Sequence, residues 1–237
     1  MLYKNNKFWV KSGVDHTLNF LKFIGQESGN IDLEWIFTEL FVKNNRGITL
    51  GDRRFKAFVL AWVEIKSIIE LWYQRYKKTK KWFIKIRDLE NLYLTLDCNG
   101  TYWKFFQEES FERKEFLNDI NSLLKNLLKA KNLKAALEPI LIFCHKQYLE
   151  GTFGRYTSQF IWILLQTFLI FKDYSPIIAM VDKNSQTLWL FPLINMLYNE
   201  LSTISISKWK KSYYFKKIYD FCYNNSTQYS LQLKKII

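Results

Sequence analysis

The chain has 237 residues, 49% hydrophobic and 18% aromatic, with only 8 Gly and 3 Pro. That balance supplies apolar surface for a packed core and excludes collagen-like, mucin-like and mostly disordered chains. Lysine and arginine number 35 against 22 acidic residues, and the formal charge of +13 draws polyanions to the surface, whether nucleic acid, nucleotide or anionic lipid. Lys, Asn, Ile, Phe and Tyr, all with A/T-rich codons, are abundant together, which gives the basicity a second source in base composition.

In chain order, the opening Met1-Leu2-Tyr3-Lys4-Asn5-Asn6-Lys7, with Lys11 soon after, lacks the apolar run of a secretory signal. A cytoplasmic protein is expected, and delivery as an effector is compatible with the same sequence. Residues 1–43 are expected as an N-terminal helical segment. Phe55, Phe58, Val59, Trp62, Ile65, Ile69, Trp72 and Tyr76 recur every three or four residues and predict an amphipathic helix over 54–76. Leu94-Thr95-Leu96, the turn signal Asp97-Cys98-Asn99-Gly100 and Thr101-Tyr102-Trp103 predict a short β-hairpin. Helical spacing returns over 116–128 and again from about 133 to 148. Residues 160–171 are apolar on nearly every side, as in a core helix, and fall far short of the roughly 20 residues that span a bilayer. Residues 188–201 and 208–223 complete the helices. Loops are expected at 26–30, 44–51 and 182–186. Cys98, Cys144 and Cys222 are odd in number, widely spaced and without a C-x-x-C, so free thiols are expected rather than a zinc site. One all-α domain, a helical bundle with one short hairpin, is the predicted fold.

Only His16 and His145 are present, which makes a Ser-His-Asp triad or a His-rich metal site hard to build. His145 opens the segment His145-Lys146-Gln147-Tyr148-Leu149-Glu150-Gly151-Thr152-Phe153-Gly154-Arg155, which leads into the all-apolar helix. Two glycines three apart, before a helix N-terminus, let backbone N–H groups converge on an anion. Arg155 would grip a phosphate, Glu150 would hold a divalent cation, and His145 or Lys146 would face the same pocket. The other reading is a plain interhelical turn with Gly151 as helix C-cap.

The same segment resembles the signature of the Fic/Doc family, H-P-F-x-D/E-G-N-G-R-x-x-R. Tyr148-Leu149-Glu150-Gly151 looks like F-x-D/E-G and Gly154-Arg155 like the closing G-R, with Thr152-Phe153 where the family has a single Asn. Asn45-Arg46-Gly47-Ile48-Thr49-Leu50 is similar to the inhibitory segment, Asn99-Gly100-Thr101-Tyr102-Trp103-Lys104 to the opening of the target-docking flap, and Phe171-Lys172-Asp173-Tyr174-Ser175-Pro176-Ile177-Ile178 to the G-x-P-P-I-I after the central helix. The resemblance implies a Fic-like core over 44–223 and a C-terminal tail over 224–237. It implies transfer of AMP, or another phosphate-containing moiety, from ATP or another nucleotide to a protein hydroxyl, with Mg²⁺ held at Glu150. Gly151, Thr152, Gly154 and Arg155 would bind the nucleotide, His145 or Lys146 would act as base, and a flap at Gly100-Thr101-Tyr102 would dock the target protein. The departures are Lys146 at the base position, Gln147 for Pro, Ser158 for the second Arg, and Arg46 for the inhibitory Glu. They point to a degenerate or altered member.

A different class of function attaches to Lys208-Trp209-Lys210-Lys211-Ser212-Tyr213-Tyr214-Phe215-Lys216-Lys217, where cations and aromatics interleave as in single-strand nucleic-acid binders. The alternative for this segment is a terminal helix that buries Trp209 and Tyr213 and solvates its lysines. Lys77, Lys78, Lys80 and Lys81 form a second basic run, followed by Trp82-Phe83-Ile84 as a possible contact with a membrane surface.

Overall fold

In the computed structural model, which describes residues 1–23, 31–51, 53–97, 99–100, 103–179 and 186–236, the chain is helical, with no strand among those residues. The α-helices are α1 (Asn6–Phe23), α2 (Leu33–Phe41), α3 (Arg53–Thr79), α4 (Glu90–Leu96), α5 (Trp103–Gln107), α6 (Phe111–Lys129), α7 (Leu133–Glu150), α8 (Thr157–Phe171), α9 (Gln186–Leu201) and α10 (Tyr213–Leu233). Short 3-10 helices lie at Leu2–Lys4, Ile86–Asp88, Gly154–Tyr156 and Ile206–Lys211. The all-α expectation is met. No helix among the described residues is long and apolar enough to cross a membrane. Side-chain caps set several helix starts: Asp32, Ser110 and Asn132 accept the N–H groups of Trp35, Arg113 and Ala135 at 2.9, 3.1 and 2.9 Å.

The chain divides into two compact units, Met1–Phe55 with Asp173–Ile237, and Lys56–Lys172. The expected divisions at 43/44 and 223/224 lie elsewhere than these boundaries. Residues 224–233 are no tail, because α10 runs on to Leu233 and buries Asn225, Ser226, Tyr229 and Leu233.

In the first unit α1 packs on α2 and α9 on α10. Gly13 permits the first pairing, since a Cβ there would meet the Phe37 ring at 2.7 Å. The Trp9 indole donates to the Tyr3 carbonyl at 2.7 Å, and the Tyr229 hydroxyl donates to Asp15 at 2.8 Å. These bonds satisfy polar groups that the core would otherwise strand.

In the second unit α8 is the central helix. Its run from Phe160 to Phe171 is buried except at Trp162, which is half-buried, and α7 and α4 pack against it. Trp72 of α3 stacks on Phe168 at 5.9 Å and meets Phe171 edge-on at 5.5 Å. The expected hairpin is absent where it can be followed: Leu94-Thr95-Leu96 close α4 and Trp103 opens α5, while Cys98, Thr101 and Tyr102 lie outside the described residues. Burial explains the difference. Leu89, Leu92 and Tyr93 are fully buried at three- and four-residue spacing, and this helical set overrides the short alternation at 94–96.

Candidate functional site

The turn from α7 to α8 is present where the sequence places it, but its backbone is occupied. Gly151 takes φ +62°, caps α7, and donates its N–H to the Tyr148 carbonyl at 3.1 Å. Gly154, at φ +53°, donates to the Gly151 carbonyl at 2.9 Å, and Tyr156 to the Phe153 carbonyl at 3.2 Å. The Phe153 N–H goes to the Thr157 hydroxyl at 3.0 Å, and that hydroxyl donates to the Gly154 carbonyl at 2.8 Å. These four amides are committed to the turn itself and do not converge on an external anion. The interhelical-turn reading describes the geometry.

Phe153 accounts for the residue inserted relative to the Fic/Doc signature. Its ring is fully buried, 4.6 Å from Phe160, 5.0 Å from Phe105 and 5.4 Å from Phe116. The turn is therefore nailed to the core by a side chain rather than shaped around a ligand.

Neither His145 nor Lys146 lines the cleft beside the turn. His145 is buried within α7, and burial pushes its pKa down to about 3, so it stays neutral at physiological pH. Lys146 lies 2.6 Å from Asp119 and 3.6 Å from Glu150. Partial burial lowers its pKa, but the Asp119 hydrogen bond and the charges of Asp119, Glu150 and Glu115 outweigh that and hold it above the usual lysine value. A general base would need the opposite shift. Arg155 is exposed, stacked 4.8 Å over the Tyr156 ring and bonded to its hydroxyl at 2.8 Å.

Of the expected site, Glu150, Gly151 and Thr152 line an open cleft of about 600 Å³; Gly154 and Arg155 do not. Its other walls are Lys104, Phe105, Ser110 and the glutamates Glu108, Glu109, Glu112 and Glu115. Partial burial pushes the Glu150 carboxyl up, with Asp119 and Glu115 adding repulsion and Lys146 opposing it. Five glutamates repel a triphosphate, so the residues present do not fit a nucleotide here. Among the described residues no three of His, Cys, Asp and Glu are grouped to hold a metal ion. Glu112 and Glu115, three apart on α6, put two of these carboxylates on one helical face. Of the expected docking flap only Gly100 is described, in a turn with its N–H on the Asp97 carbonyl at 2.9 Å; Thr101 and Tyr102 are not.

The basic segment near the C-terminus is built differently from a single helix over 208–223. Trp209 sits in the 3-10 helix Ile206–Lys211, buried, with its indole N–H 3.2 Å from the Leu201 and Ile204 carbonyls. Ser212 then caps α10, its hydroxyl accepting the Phe215 N–H at 3.2 Å. With Trp209 and Phe215 pinned inside, Lys208, Lys210, Lys211, Lys216 and Lys217 are exposed. Tyr213 is 61% exposed, which corrects the expectation that it joins Trp209 in the core. Its ring lies 5.4 Å from the Lys217 ammonium and meets Tyr214 edge-on at 5.3 Å.

Compared with family models, curated proteins and solved structures, the chain finds no match.

Proposed function

We propose that this is a non-catalytic helical protein that binds single-stranded nucleic acid through the surface spanning residues 206–217. The observation that carries the reading is an exposed tyrosine, Tyr213, set among five exposed lysines on a segment anchored by buried Trp209. Lysines neutralise phosphates and release counterions, while an exposed ring supplies a face for any base. The local electrostatics supports the same reading. The first turn of α10 holds no acidic residue, and Lys216 and Lys217 stand near the end where the helix dipole is positive. That placement disfavours the helix and favours an approaching anion.

The test is fluorescence anisotropy with a labelled single-stranded oligonucleotide. Stacking on an aromatic side chain contributes about 1–3 kcal/mol per base, so Tyr213→Ala is expected to weaken binding by about 5- to 150-fold. Tyr213→Phe keeps the ring and retains affinity. Equal affinity of the alanine variant and the wild type would remove the reading. Transfer from a nucleotide, the activity implied by the Fic/Doc resemblance, rests on the sequence resemblance alone, because the cleft at Glu150, Gly151 and Thr152 is walled by glutamates. Mg²⁺-dependent ATP binding, weakened by Arg155→Ala, would restore it over the binding-protein reading.

A further inference from the structure

The end of α3 carries a second cationic surface with a different chemistry. Lys77, Lys78, Lys80, Lys81, Lys85 and Arg87 are all exposed within eleven residues of sequence. Lys77 and Lys78 lie in the last turn of the helix, where cations offset the exposed carbonyls and the negative dipole end. That role does not extend to Lys80, Lys81, Lys85 and Arg87, which follow the helix.

The segment is held rigidly. The Lys80 N–H bonds the Tyr76 carbonyl at 2.8 Å, and the Thr79 hydroxyl accepts the Lys81 N–H at 3.2 Å. Further on, Asn121 of α6 clasps the Ile84 backbone, accepting its N–H at 3.0 Å and donating to its carbonyl at 3.3 Å. Asp88 is almost fully buried beneath the Arg75 guanidinium, which grips both its oxygens. It also accepts the Trp72 indole N–H at 3.2 Å and the Lys85 N–H at 3.0 Å. Asp88, which follows the stretch, is thus turned inward and does not neutralise these exposed cations.

Lys80 adds an independent indication. Three non-glycine residues among those described have positive φ, namely Asn44, Lys80 and Asp173. Asn and Asp tolerate the left-handed region through short side-chain hydrogen bonds; lysine does not have that option. At φ +57° Lys80 occupies a helix-end position where glycine is the more stable residue. What lysine has there and glycine lacks is an ammonium group.

Trp82 and Phe83 beside these cations are half-buried and packed against other rings and cations. Trp82 stacks on Tyr76 at 4.2 Å and meets Tyr73 and Phe171 edge-on at 5.2 Å. Phe83 lies between the Arg75 guanidinium at 5.0 Å and the Lys85 ammonium at 5.9 Å, and Ile84 is buried. The membrane contact expected of Trp82-Phe83-Ile84 therefore lacks a free insertion group. Cations on a fixed scaffold without a stacking platform suit a phosphodiester backbone, where charge is contacted and sequence is not read.

We propose that the loop over residues 77–87 is a second nucleic-acid contact, gripping the phosphate backbone of a duplex through Lys77, Lys78, Lys80, Lys81, Lys85 and Arg87. It belongs to the other compact unit from Tyr213, and its test does not depend on that residue. The test uses the full chain with Lys77→Gln, Lys78→Gln, Lys80→Gly and Lys81→Gln combined, and a fluorescein-labelled 16-base-pair DNA duplex. Removing four phosphate contacts is expected to lower duplex affinity at least about tenfold at low salt and to flatten the log–log salt slope by about 3.6. Lys80→Gly alone is expected to raise or keep the melting temperature while weakening binding, which separates lost charge from lost fold. Tyr213→Ala is expected to leave duplex affinity unchanged, so failure of either site shows independently. Unchanged duplex affinity and slope in the fourfold variant would overturn the proposal. So would loss of binding to phosphatidylserine vesicles with duplex binding intact, which would assign the loop to a membrane.

Discussion

Phe153 shows how one side chain decides the character of the α7–α8 turn. The turn carries two glycines and a threonine, and its Phe153 reaches the ring cluster of Tyr93, Phe105, Phe106, Phe116 and Phe160. Deleting a fully buried ring removes its transfer energy and leaves a cavity among neighbours that cannot all collapse. Phe153→Ala is expected to lower stability by about 3–5 kcal/mol in urea denaturation. A loss below about 1 kcal/mol would mean that the turn is not anchored this way. By contrast, a Cβ at Gly151 meets nothing within 4 Å, so its requirement is the left-handed backbone alone. The pattern E-G-x-x-G-R is legible as a turn before a buried helix. Which way its amides point is not, because that depends on Thr157 and on where Phe153 finds its partners.

At the scale of elements, long periodic segments were readable and short ones were not. The runs behind α3, α6, α7 and α8 carry enough apolar repeats for the 3.6-residue period to dominate. α4 has seven residues and α5 five, too few for a period to emerge, and the alternation at 94–96 mimicked a strand. The break at Ser212 was hidden in the same way. Lysine and aromatic spacing reads continuously across 208–217, yet the Ser212 hydroxyl competes for the Phe215 amide and starts a new helix. That break is what frees Tyr213 from the register of Trp209. The candidate site shifted for a related reason: the +13 total gave no sign that acidic residues concentrate beside Glu150 while lysines concentrate at the ends of helices.

At the scale of the whole molecule, each unit buries one histidine in neutral form. Desolvation lowers His16 to about 4 and His145 to about 3, both below the ordinary value of 6.5. Above pH 6.5 neither the folded nor the unfolded state binds a proton at these sites, and stability is complete. As pH falls below 6.5 the unfolded chain takes up protons first, and stability is lost progressively towards the folded pKa values. The slope approaches about 1.4 kcal/mol per pH unit for each histidine. Urea midpoints measured at pH 7, 6 and 5 are expected to fall, and His145→Asn to flatten the fall in its unit. Constant midpoints across that window would contradict the burial of both rings.

The net charge is put to use, in this account, at a surface where lysines surround an exposed ring. Its most direct measurement is a salt titration of single-stranded oligonucleotide binding from about 50 to about 300 mM, a roughly sixfold range. Neutralisation of about four phosphates by Lys208, Lys210, Lys211, Lys216 and Lys217 predicts that log affinity falls against log salt with a slope of about −3. Glutamine at these five positions is expected to remove most of that slope. A flat response in the wild-type protein, or a steep one that survives the five substitutions, would contradict the account.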